Sequence, residues 1–261
     1  MKLNDEMIIN EYNGLKYLQF KKLNSYGVKH AYTLKEENLN FRSNSKEEKE
    51  SYQRLYDALG LKLENFVKPL QNHTCNVRCI DKVVKRSELK ETDGLITDKK
   101  DIILSTTNAD CILFLFYDPK KKVIANVHSG WRGTFQKISE KTILKMMTNY
   151  RCNPKDIMCF ISPSIRKCHF EVDEDVSNLC REIFYFLGET DEFIKKGDIK
   201  AGKQKYFIDT ILINRKLMKE LGVKDSNIID SDICSVCNSD KVNSFRVEGK
   251  GFKLATAVIS L

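Results

Sequence analysis

His73, Cys111 and His128 are the side chains in this sequence best suited to doing chemistry together. They stand in three short neighbourhoods: QNHT at 71–74, ADC at 109–111 and VHSGWRG at 127–133. Two imidazoles and one thiolate suit a zinc ion with one coordination position left open. A catalytic metal needs that opening, because water or substrate must enter there. Each residue also has a plainer reading. His73 could be a surface-loop histidine, Cys111 a packed cysteine opening a buried strand, and His128 the end of another.

The elements around them make the grouping physical. Residues 111–117 (CILFLFY) and 122–128 (KVIANVH) read as strands joined by Asp118-Pro119-Lys120-Lys121, a common hairpin loop length. If Tyr117 pairs with Lys122, Cys111 stands opposite His128 on one face, roughly 5 Å away at Cβ. A one-residue slip would separate them. Next, Ser129-Gly130-Trp131-Arg132-Gly133 reads as a tight turn opening a helix, a setting that favours anions. Asp93, in TDGLIT at 92–97, and Asp110 are candidates for a general base, or for a carboxylate that orients a ligating imidazole. Asp93-Gly94 is equally a turn signal. His30 and His169 have no evident partners and read as packing residues.

Helices and strands alternate along the chain. A first helix spans about 46–59, with a Ser45/Glu48 capping box, a Tyr52, Leu55, Tyr56, Leu59 stripe and Gly60 as its stop. A second follows GWRG with Ile143, Met146, Met147 and Tyr150 on one face. A third carries Val176, Leu179, Cys180, Ile183, Phe184 and Leu187, and a fourth starts at Asp209 and stops before Gly222. Strands are expected near 66–70, 76–84, 101–106, 111–117, 122–128, 157–162, 228–231, 242–247 and 253–260, with 248–251 as a turn. Residues 112–116 are apolar on both faces, so layers must cover them above and below. The expected fold is a layered α+β (α/β) single domain over residues 1–261, with a mixed, largely antiparallel sheet covered by helices. Residues 1–27 read as an N-terminal hairpin of that domain, and the metal should sit at strand ends near the middle of the sheet.

Composition narrows the function classes. The chain has 261 residues and no apolar run near the roughly 20 residues needed to span a bilayer. The N-terminal segment carries Asp5, Glu6 and Glu11 without an apolar core, unlike a secretory signal. Nine cysteines, an odd count, argue against a disulfide framework and for a reducing cytoplasm, most of them acting as small buried hydrophobes. Cys234 and Cys237 form a CxxC which, with no second pair nearby in sequence, is weak evidence for metal. The net charge of +8 comes from dispersed lysines, with runs at 120–122 and 195–196 at expected turns. That pattern describes a solvated surface, not a nucleic-acid face. It could still draw in anions such as phosphate.

The motifs resemble those of the YfiH/YlmD family of laccase-domain, multicopper polyphenol oxidase-like proteins, described as purine nucleoside phosphorylases. The resemblance covers about residues 28–261. VKHAYTLK, NLNF, QNHT, TDGLIT, ADCILFLFYDP, VHSGWRGT, ISPSIRKCHFEVDEDV, FIDTILINRKLMKELGV and NSFRVEGK follow the family's blocks in order. The resemblance implies a zinc site on His73, Cys111 and His128. It implies phosphorolysis of adenosine, inosine, guanosine and 5′-methylthioadenosine, and deamination of adenosine. Asp93 or Asp110 would move the proton. Arg132 and the Gly130–Gly133 backbone would hold phosphate, Trp131 would stack on the purine, and Arg246 and Arg54 are further cations for phosphate or ribose. The sequence departs from the family pattern at Leu34, Ser162 and Val247. Three rival readings remain: a copper polyphenol oxidase, which needs more imidazoles than the four histidines here; a metal-free hydrolase with Cys111 as nucleophile and His128 as base; and a non-enzymatic binding protein.

Overall fold

The computed structural model describes residues 1–36 and 39–261. Its strands are β1 (Met7–Tyr12), β2 (Leu15–Phe20), β3 (Lys29–Thr33), β4 (Phe66–Val67), β5 (Val77–Cys79), β6 (Gly94–Thr97), β7 (Ile103–Asn108), β8 (Ile112–Asp118), β9 (Val123–Ser129), β10 (Met158–Ile161), β11 (Glu171–Asp173), β12 (Ile194–Lys200), β13 (Lys203–Ile208), β14 (Ile228–Asp230) and β15 (Ala255–Ser260). Its helices are α1 (Lys21–Ser25), α2 (Glu48–Leu59), α3 (Trp131–Phe135), α4 (Ile138–Tyr150), α5 (Glu174–Phe184), α6 (Thr210–Glu220) and α7 (Phe245–Glu248). Asn38 of the NLNF segment lies outside the described residues. Among them, no helix is long and apolar enough to cross a membrane.

The layers come from two six-stranded sheets, not one. The first has the order β1-β2-β3-β15-β7-β4, the second β14-β10-β8-β9-β6-β5. Pairing is mostly antiparallel, with parallel pairs at β4–β7, β5–β6 and β10–β14. The N-terminal hairpin turns at Asn13-Gly14, both at positive φ, and joins the first sheet through β3.

Alternation along β8 explains the stacking. Leu113, Leu115 and Tyr117 face the first sheet's Phe20, Leu104 and Ile259. Ile112, Phe114 and Phe116 face Ile143 and Met146 of α4 and Met218 of α6. Each such side chain stabilises the fold by about 1.5–3 kcal/mol when fully buried. The far face of the first sheet is closed by Tyr52, Leu55 and Tyr56 of α2. One polar residue ties the sheets together: buried Asn126 donates to Leu104 O (2.9 Å) and Ala257 O (2.8 Å) and accepts from Thr106 Oγ1.

Several local expectations shift. The hairpin pairs Asp118 with Val123, and Leu113 with His128, two residues out of the expected register. Asp118 causes this by accepting the N–H groups of Lys120 (2.8 Å) and Lys121 (3.0 Å), which moves the loop to 119–122. The two-residue shift preserves face parity, so Cys111 and His128 stay on one side. Residues 242–247 are no strand: Ser244 caps α7 by accepting Val247 N–H. The expected capping box is also absent, because α2 begins after Glu47 and Glu48 is engaged by Asn44 N–H, Lys68 and Arg86. The second helix is broken at Lys137, which sits at φ 60° between α3 and α4. A small third sheet, β11-β13-β12, adds two strands at 194–208 beyond those expected, and Lys195 and Lys196 lie in its strand β12 instead of a turn. It packs with α5 through Cys180, Phe184 and Tyr206. Asp209 caps α6 as expected, accepting Leu212 N–H at 2.9 Å.

Candidate metal centre and cavity

β8 and β9 are the two central strands of the second sheet, and the candidate ligands stand at one end of this pair. Cys111 immediately precedes β8, and His128 is the penultimate residue of β9. Across the hairpin, Cys111 falls opposite Gly130. A Cβ on Gly130 would lie 2.7 Å from the His73 ring and 3.1 Å from the Cys111 sulfur. Glycine there leaves the space that the ligand atoms occupy.

Asp93 organises the other side. It immediately precedes β6, so its carbonyl accepts the His128 N–H at 2.7 Å. Its buried carboxylate accepts His128 Nδ1 at 2.8 Å and the N–H groups of Asn72, His73 and Thr74 at 3.2, 3.0 and 2.8 Å. The Asp93-Gly94 pair is therefore no turn. It fixes the imidazole that leaves His128 Nε2 free, and it holds His73 at φ 59°, a strained conformation for a non-glycine residue. Burial alone would raise the Asp93 carboxyl, but the His128 and Thr74 hydrogen bonds hold it below its ordinary value.

The three ligand atoms all lie within 4.8 Å of one another. His73 Nε2 is 3.8 Å from Cys111 Sγ, and the two imidazole rings meet edge-on at 4.9 Å. Burial would push the Cys111 thiol up, yet His128 and His73 outweigh it and bring it down to about 6. Burial likewise opposes the charge on His128, but the Cys111 thiolate and Asp93 raise it to about 9. Each group thus favours the charged form of the other, and a metal cation would take the place of the proton between them.

The cluster separates two cavities. One, of about 610 Å³, is lined by Trp131, Arg132, Phe170, Val176, Phe245 and Arg246 around His73 and Cys111. The other, of about 580 Å³, lies beyond Phe245 and is lined by Arg42, Lys68, Gln71, His128 and Phe252. Arg132 is exposed, its guanidinium 4.3 Å from the Trp131 ring centre. Arg246 is anchored by the carbonyls of His169 (3.1 Å) and Glu171 (3.3 Å).

The remaining expected residues fall less directly on the cavity. Asp110 lines it, but its carboxylate accepts Ser235 Oγ, Ser244 Oγ and Arg246 N–H at 2.6, 2.7 and 2.7 Å, so it is occupied in holding that wall. Gly133 faces the QNHT loop, where a Cβ would stand 3.3 Å from Thr74 O. Arg54, on α2, pairs with Glu36 and lines neither cavity. Leu34 is in the inter-sheet core, Ser162 accepts Leu113 N–H at 3.1 Å, and Val247 is exposed; none lines either cavity.

The cysteine expectation needs correction. Only Cys152, Cys159, Cys180 and Cys234 are buried. His169 is not a packing residue: with Cys168, Cys234 and Cys237 it forms a second group whose ligand atoms all lie within 4.8 Å of one another. The signal was the adjacent pair Cys168-His169, too far from the CxxC in sequence to be joined to it by spacing. His30, in contrast, is a satisfied core histidine, accepting Phe20 N–H at 2.8 Å; burial lowers its pKa to about 4.

Residues 23–260 match the family of multi-copper polyphenol oxidoreductase laccase proteins. The chain belongs to this laccase family. Within it, the chain is 30% identical to a purine nucleoside phosphorylase of Clostridium acetobutylicum over 94% of its own length and 95% of the relative's. It is 27% identical to a mouse purine nucleoside phosphorylase over 81% of its length, but spans only 47% of that relative. An adenosine deaminase from an unknown prokaryotic organism is 29% identical over 72% of each chain. The fold is that of the solved Bacillus licheniformis hypothetical protein YfiH, with TM-score 0.85, 24% identity and coverage of 96% and 100% of the two chains.

Proposed function

We propose that this laccase-family protein is a zinc-dependent purine nucleoside enzyme. It would phosphorolyse adenosine, inosine, guanosine or 5′-methylthioadenosine and deaminate adenosine. The observation that carries the proposal is the convergence of His73, Cys111 and His128 on one point, with His73 and Cys111 lining a cavity walled by an aromatic ring and two guanidinium groups. The relatives named as phosphorylases and a deaminase support the choice of substrate.

The donor set fits zinc. Two imidazoles and a thiolate provide three ligands, and the cavity side remains for a fourth. A multicopper centre would need more imidazoles. Of the four histidines, His30 is used in the core and His169 stands with other cysteines. When bound, zinc supplies Lewis acidity and lowers the pKa of water at its open position. The chain's own residues do the rest. Asp93 holds His128 in the ligating tautomer and His73 in its strained turn. Arg132 and Arg246 offer charge-assisted hydrogen bonds to phosphate. Trp131 and Phe245 flank the space in which a purine would lie. Asp110 acts by position, fixing the backbone of Arg246.

The metal-free hydrolase reading retains one favourable observation, the low thiol pKa of Cys111. His73 separates the two readings, since a Cys–His dyad does not need it. The test is chromatography of adenosine incubated with purified protein, with and without phosphate, beside a Cys111→Ala control. Adenine with ribose-1-phosphate, or inosine, absent in the control, is the expected result. No product from zinc-replete protein would overturn the adenosine assignment.

A further inference from the structure

We propose that Cys168, His169, Cys234 and Cys237 form a second metal site, a closed structural zinc centre distinct from the His73–Cys111–His128 cluster. Three thiols and one imidazole provide the four N/S ligands of a structural zinc site, with no position left for substrate. The spacing of the atoms fits a common centre. Cys168 Sγ lies 3.6 Å from Cys234 Sγ and 3.9 Å from Cys237 Sγ. With Zn–S bonds of 2.3 Å, the edge of a regular tetrahedron is about 3.8 Å. His169 Nδ1 lies 3.1, 3.6 and 3.5 Å from the sulfurs of Cys168, Cys234 and Cys237. The mixed N–S edge with Zn–N near 2.0 Å is about 3.5 Å. All four ligand atoms fall within 4.8 Å of one another. The sulfurs are well outside the roughly 2.0 Å of a disulfide, and all nine cysteines are free thiols.

The backbone holds the four ligands in place independently of any ion. Ser164 bridges to Cys234 in parallel, with Ser164 N–H donating to Ile233 O and Ser235 N–H to Ser164 O at 3.2 and 3.0 Å. Arg166 grips Asp230 with two hydrogen bonds of 2.6 Å and reaches Ser231 Oγ at 3.2 Å. Ser164 and Arg166, just before Cys168-His169, therefore hold that turn against the segment that leads into the CxxC turn. Four ligands on two such loops follow the logic of a zinc knuckle, in which local turns present paired thiolates.

A cation here would fasten one wall of the cavity lined by Trp131 and Arg246. The loop carrying Cys234 and Cys237 continues to Ser244 and Arg246, and with Ser235 these hold Asp110 beside Cys111. His169 contributes from the other loop, its carbonyl accepting the Arg246 guanidinium. The closed site is thus placed to fix Arg246 and the approach to Cys111 without touching substrate.

The experiment is metal analysis of protein purified from zinc-supplemented cells without chelator. It compares the intact chain, a His73→Ala/Cys111→Ser variant and a Cys168→Ser/Cys237→Ser variant. Near two zinc per intact chain are expected, and near one in His73→Ala/Cys111→Ser. The remaining ion should show an X-ray absorption first shell dominated by sulfur near 2.3 Å. In Cys168→Ser/Cys237→Ser the sulfur-rich signal should vanish. Should that variant fail to fold, His73→Ala/Cys111→Ser decides alone. No zinc in it, a nitrogen- and oxygen-dominated shell, or a Cys168–Cys234 disulfide in non-reduced peptide maps would overturn the proposal. These readouts concern metal and ligands, not turnover, so they stand apart from the nucleoside reading.

Discussion

His73, Cys111 and His128 approach one point from three separate segments and stay open to the cavities on either side. Cys168, His169, Cys234 and Cys237 close on each other from two loops. Both groups use cysteine and histidine, yet their surroundings differ. The first is braced by a buried carboxylate, Asp93, which fixes an imidazole tautomer, and by a glycine, Gly130, which leaves room. Among the described residues, the second has no carboxylate hydrogen-bonded to its ligand atoms and is braced by backbone pairing and Arg166. An open three-ligand set with an orienting carboxylate suits reaction, whereas a closed four-ligand set suits fastening. Residue type alone does not distinguish them; ligand number and the access to the fourth position do.

The comparison breaks most sharply at Cys111. Cys111→Ser removes a ligand from the open set only. Several kcal/mol of transition-state stabilisation should go with it, a loss of roughly 10³-fold in kcat/KM for adenosine. The protein should retain its circular dichroism and its sulfur-bound zinc. Unchanged turnover would remove the open set from the chemistry.

Asp93→Asn tests the brace. The amide cannot receive the same set of donors, so zinc affinity and kcat/KM should fall roughly 10- to 100-fold. Competition with a colorimetric chelator measures the affinity. Arg132→Met is expected to raise the KM for phosphate roughly 10-fold, the scale of one charge-assisted hydrogen bond, and to spare deamination, which needs no phosphate. Initial rates in the two assays separate these outcomes.

The smallest expected effect concerns pH. The folded-state pKa of Cys111, about 6, lies below the ordinary thiol value. In metal-free protein Cys111 should therefore be thiolate above about pH 6 and lose reactivity as pH falls through that value. Iodoacetamide labelling followed by peptide mass analysis should give that midpoint for Cys111. A midpoint near the ordinary thiol value would show that His128 and His73 do not stabilise the thiolate.

Sequence patterns carried more of the open cluster than of the closed one. The gathering of His73, Cys111 and His128 was legible because a hairpin with both faces apolar places its two ends together. It survived an error in register, since Asp118 displaced the loop by two residues and face parity was kept. The helices starting near Glu48 and at Thr210, with their stops at Gly60 and before Gly222, were legible from periodicity and end signals. The closed cluster was not, because the Ser164–Cys234 bridge that forms it joins distant segments through backbone atoms. Residues 242–247 misled for a related reason: their strand-like pattern is overridden by the Ser244 cap and by Asp110, both tertiary features. The sheet β11-β13-β12 was hidden by exposed lysines, which leave β12 with little apolar alternation to read.

The most direct test of the account is stepwise removal of zinc by a chelator, with adenosine conversion followed against zinc remaining per chain. An ion with an open coordination position facing a cavity should leave before one enclosed by four protein ligands. Conversion is predicted to vanish once about one of the two ions is gone, with the fold intact by circular dichroism and the sulfur-bound ion still present. Conversion that persists until the last ion is removed would contradict the assignment of chemistry to His73, Cys111 and His128.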